Sequence, residues 1–126
     1  MKPKIILHMA TTIDGKITGD FLLTEIGKEL SEEYYRIHRD YNADAYLCGR
    51  VTFEGSFTFG KLPESEKFIG ENISNNDYIA MRHTKYAIAI DTHGRLGWND
   101  SIIRDDDPGY DNAHIIVAVT GTTPKE

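Results

Sequence analysis

One cysteine in 126 residues, Cys48, excludes an intrachain disulfide. It sits in the apolar run Ala45-Tyr-Leu-Cys48, a setting for a buried, inert thiol rather than a nucleophile. No apolar stretch approaches the ~18 residues of a membrane span. The N-terminus, Met1-Lys-Pro-Lys4 and a short apolar run, has no export-signal core or cleavage site, so a cytoplasmic location is expected. No basic block occurs, and the net charge is −6, which disfavours nucleic acid and anionic membranes as partners. Histidines are few: His8, His38, His83, His93 and His114 show no paired ligand spacing, so no metal site is expected. His8 and His114 lie in apolar runs, as satisfied core histidines do. Asp105-Asp-Asp107 lacks the ligand alternation of a calcium loop and reads as a solvated turn.

What is present is the composition of an ordinary globular chain, 40% hydrophobic and 27% charged, at a length suiting one domain or part of one. Lys4–Met9 is rich in β-formers and predicts a strand buried on both faces. Asp14-Gly15 marks a turn in the polar loop that follows. Ile26, Leu30, Tyr34, Ile37 and Tyr41 recur at helical spacing, with Thr24 as a cap, Ser31 as an alternative start and Asn42 as the stop. Gly27 should weaken the first turn slightly. Ala43–Cys48 predicts a second buried strand, and Gly49–Gly55 a turn into a short helix. Residues 60–84 read as a surface loop leading to a short helix. Lys85–Ile90 predicts a third strand, and Ala113–Thr120 a fourth, apolar on both faces. Trp98 reads as a packing residue. Thr122-Thr-Pro-Lys-Glu126 carries a helix-start signal, so the expectation is that the chain stops at the cap of a further helix.

Strand, loop, helix, strand and glycine turn together predict an α/β fold on a largely parallel sheet. Chemically, Gly49-Arg50-Val51-Thr52 offers an anion the backbone amides of a helix start, a hydroxyl and a fixed positive charge. The same pattern also serves simply to begin a helix.

Cys48-Gly-Arg-Val-Thr-Phe-Glu-Gly55 resembles the Gly-Arg-X-Thr segment of dihydrofolate reductases. Ala10-Thr-Thr-Ile-Asp-Gly-Lys-Ile17 is similar to the Ala-X-Ser-Leu-Asp-Gly-Lys-Ile segment of riboflavin-biosynthesis reductases, the family of the RibD C-terminal domain. Asn42–Gly49 and Tyr86–Arg95 resemble that family's strand into the cofactor loop and its later strand with an Asp-Ser turn. The resemblance implies a dihydrofolate-reductase-like three-layer αβα sandwich, of which residues 1–126 would be the N-terminal portion of a single domain. The family's Gly-Gly loop, which cradles the cofactor pyrophosphate, would lie beyond residue 126.

It further implies an NADPH-dependent oxidoreductase that passes a hydride to a ribosylamino-pyrimidine phosphate or a similar small substrate. Asp14 would be the loop acid beside nicotinamide and substrate, and Ala10 and Ile17 would hold the nicotinamide end through backbone groups. Gly49, Arg50 and Thr52 would sit on the cofactor phosphates, and Thr92 near the adenosine phosphate. An incomplete sheet leaves a free edge, so a homo-oligomer, a dimer, is expected. The alternative is a non-catalytic truncated member of the fold acting as a binding or assembly module.

Overall fold

The computed structural model describes residues 2–58 and 81–121. These residues form two compact units, Met1–Asn42 and Ala43–Glu126. The helix-start signal at 122–126 and most of the expected loop at 60–84 lie outside the described residues.

In the first unit, a 3₁₀ turn at Asp20–Leu23 leads into helix α1, Glu25–Tyr41. The apolar residues expected on one face have the spacing that sustains it. Thr24 is the cap: its Oγ1 accepts the Gly27 N–H at 3.1 Å and donates to the Phe21 carbonyl at 2.6 Å. Ser31 is therefore not a start. It sits within the helix, its hydroxyl bonded back to the Gly27 carbonyl at 2.9 Å. Asn42 ends the helix in the left-handed region, φ 41°, as a short polar side chain permits.

The run Lys4–Met9 is not a strand. It has no place in the sheet, and Ile5 and Leu7 are 86% and 88% exposed. A strand needs a hydrogen-bonding neighbour as well as β-forming residues, and none among the described residues pairs with this run. His8 is accordingly no strand histidine. Its ring stacks on Tyr34 at 4.2 Å, and its Nδ1 finds no hydrogen-bond partner among the described residues.

The second unit holds a three-stranded parallel sheet in the order β1 (Ala45–Gly49), β2 (Tyr86–Ile90), β3 (His114–Ala118). The protein is thus mixed α/β, with the parallel pairing expected. Registers run Ala45–Tyr86–His114 at one end to Gly49–Ile90–Ala118 at the other. After β1 the chain enters helix α2, Arg50–Phe53, and a π turn, Glu54–Thr58. Segment 101–103 lies antiparallel to the start of β3, where Ile115 N–H donates to the Ser101 carbonyl at 2.9 Å.

One sheet face carries the core. Ala87 and Ala89 are fully buried there with Phe53, Leu96, Ile103 and Ala113, and Tyr46, Cys48, Phe57, Trp98 and Ile115 pack against them. Small residues on the central strand leave room for aromatic rings, and Trp98 meets Phe53 edge-on at 5.6 Å, a packing role. The opposite face is more open. Leu47 and Ile116 are 61% and 41% exposed, so β1 and β3 are not buried on both faces as their apolar runs suggest. Each is a terminal strand of the sheet among the described residues.

Gly27 does more than cost helix propensity. It is buried, and a Cβ there would lie 2.0 Å from the Phe21 carbonyl oxygen and 2.7 Å from Leu22 Cα. Its missing side chain lets the 3₁₀ turn fold against α1. Gly27→Ala, ordinarily a gain of ~1 kcal/mol in a helix interior, should here cost about 1–3 kcal/mol through overpacking. Urea unfolding of the two proteins checks the sign, and a more stable variant would overturn the close-packing argument.

Candidate functional site

The sheet register decides which expected site residues meet. In a parallel sheet all strands end at one edge, and ligands gather in the crevices beyond it. Gly49 and Ile90 are register partners and Ala118 completes the row. Gly49, Arg50 and Thr52 therefore continue from the same edge as Asp91 and Thr92. Ala10, Asp14 and Ile17 belong to the other unit.

At the edge, Gly49 caps α2 with φ −75° and no side-chain hydrogen bond. Nothing lies within 4 Å of where its Cβ would stand. Neither the backbone conformation nor packing among the described residues demands glycine at this position. Thr52 is exposed. Arg50 is one-third exposed and forms an i,i+4 ion pair with Glu54. Its charge is already matched, so an arriving anion must compete with a carboxylate. The four-residue spacing of Arg50 and Glu54 inside the helix start is the sequence signal for this pair.

Asp91, at the same sheet edge, is not singled out by the sequence. It is 1% exposed, and its Oδ2 accepts the Leu96 N–H at 2.7 Å. Gly94, at φ 62°, donates its N–H to the Asp91 carbonyl at 3.1 Å. Together these close the 91–96 loop and hold Thr92 at the edge. Thr120 Oγ1 donates to the Thr92 carbonyl at 3.2 Å, tying the segment after β3 to the same place. Thr92 Oγ1 lies 2.9 Å from His93 Nδ1.

In the first unit, the loop at Asp14 is closed on itself. Thr12 N–H donates to the Lys16 carbonyl and Gly15 N–H to the Thr12 carbonyl, each at 2.9 Å. Gly15 takes φ 80°, the conformation glycine supplies without strain. The Asp14 carboxylate accepts from Thr12 Oγ1 at 2.5 Å and pairs with Lys16 Nζ at 2.9 Å. The hydroxyl first, and then Lys16, hold Asp14 below the usual carboxylate range. Asp14 is therefore ionised at neutral pH and can only accept hydrogen bonds; acting as a proton donor would need its pKa raised. Ala10 and Ile17 flank the loop, half-buried and exposed.

The remaining candidates resolve structurally. Burial pushes the Cys48 thiol up, away from the reactive thiolate. Asp105, Asp107 and Asp111 are spent on the backbone: Asp107 and Gly109 N–H donate to Asp105 and Asp107 at 2.8 and 2.7 Å, and Asp105 N–H to Asp111 at 3.1 Å. No cluster of three metal-ligating side chains exists among the described residues. His114 is buried at the head of β3, yet its Nδ1 finds no partner among those residues, so it is not the satisfied core histidine expected. A cavity of about 190 Å³ opens beside Phe57, Trp98 and Arg104, and none of the expected site residues lines it. No described helix is long and apolar enough to cross a membrane.

Comparison of the chain with protein-family models, curated proteins and solved structures found no match.

Two outcomes follow from this geometry. Thr12→Val should move the Asp14 titration midpoint upward, toward that of a free aspartate, as followed by carboxyl NMR; an unmoved midpoint would show that the hydroxyl does not hold the charge. Asp91→Ala should strand the buried Leu96 N–H and cost about 1–3 kcal/mol in urea unfolding, with Asp91→Asn much milder because its amide oxygen still accepts.

Proposed function

We propose that the protein is an NADPH-dependent reductase of the dihydrofolate-reductase-like class, with its cofactor phosphates seated at the Gly49–Thr52 turn. The observation that carries this reading is Gly49. It has an ordinary φ and, among the described residues, open space at its Cβ position, as Gly55 also has; a glycine there would let a ligand approach the backbone closely.

The residues present fit a phosphate group. Amides at the start of α2 lack helical partners, Thr52 offers an exposed hydroxyl, and Arg50 can exchange its bond to Glu54 for a phosphate oxygen. Thr92, on the loop that Asp91 closes, supplies a further hydroxyl at the same edge. NADPH, when bound, supplies the hydride. The chain's task is then to bind, orient and exclude water. Asp14, held ionised, serves in this reading as an orienting acceptor for a small polar substrate such as a ribosylamino-pyrimidine phosphate. The three-layer architecture belongs to the same proposal, as does self-association into a dimer through apolar surface such as Leu47 and Ile116.

The Arg50–Glu54 pair supports a second reading, in which the turn merely starts a helix and the protein is a non-catalytic binding or assembly module. One titration separates the two. NADPH is added to the protein and to three variants, and binding is followed by cofactor fluorescence. Arg50→Ala should weaken binding ~10-fold or more, the loss of a charge-assisted contact worth roughly 1.5–3 kcal/mol. Gly49→Ala should weaken binding while leaving urea stability unchanged or slightly improved. Glu54→Gln should tighten binding by releasing Arg50. No NADPH binding, or equal affinity in all four proteins, supports the second reading.

A further inference from the structure

We draw no further inference here: the strongest candidate, the apolar row Leu47, Ile88 and Ile116 across the open face of the parallel sheet, carries nothing because nothing in the structure shows what covers it.

Discussion

The second unit depends on the burial of Phe53 over the small residues of the central strand. Ala87 and Ala89 have no side chain beyond Cβ, and the space they leave is filled by aromatic rings. Phe53 is fully buried and lies one residue beyond Thr52. Burying a phenyl ring is worth roughly 1.5–3 kcal/mol, and that anchor fixes where a helix of only four residues can sit. So short a helix has little stability of its own, since nucleation is unfavourable. The placement of Gly49, Arg50 and Thr52 at the sheet edge is thus a consequence of packing within one helical turn of them.

A buried carboxylate does the corresponding work on the neighbouring strand. Asp91 follows Ile90 at the edge, and its bond to the Leu96 N–H turns the chain back before it can run on as strand. One oxygen of the side chain is spent on the fold, and the exposed Thr92 stands next to it at the sheet edge, its Oγ1 2.9 Å from His93 Nδ1. Position and chemistry are divided between adjacent residues, one buried and one open. The same division appears at Phe53 and Thr52.

Charge is arranged with similar economy. Arg50 and Glu54 satisfy each other across one helical turn, and Asp14 is satisfied by Thr12 and Lys16 within its own loop. Exposed ion pairs of this kind add little stability. Their effect is on availability: an anion would reach Arg50 only in exchange for Glu54, and Asp14 is held as a carboxylate within its own loop.

The sequence by itself determined what depends on near neighbours. Spacing placed α1, Thr24 and Asn42 marked its ends, and the apolar runs near residues 45, 86 and 114 became strands with boundaries shifted by one or two residues. The glycine turn after β1 was legible in the same way, whereas Cys48, expected to be buried, is only half-buried. Contacts between distant residues were decided only in three dimensions. Lys4–Met9 has the composition of a strand, but composition cannot supply a pairing partner. Gly27 reads as a weak helix residue until Phe21 and Leu22 are seen against it. Asp91 reads as a turn residue until its burial and its bond to Leu96 appear, because solvent exclusion is a property of the folded unit and not of a residue's neighbours in sequence.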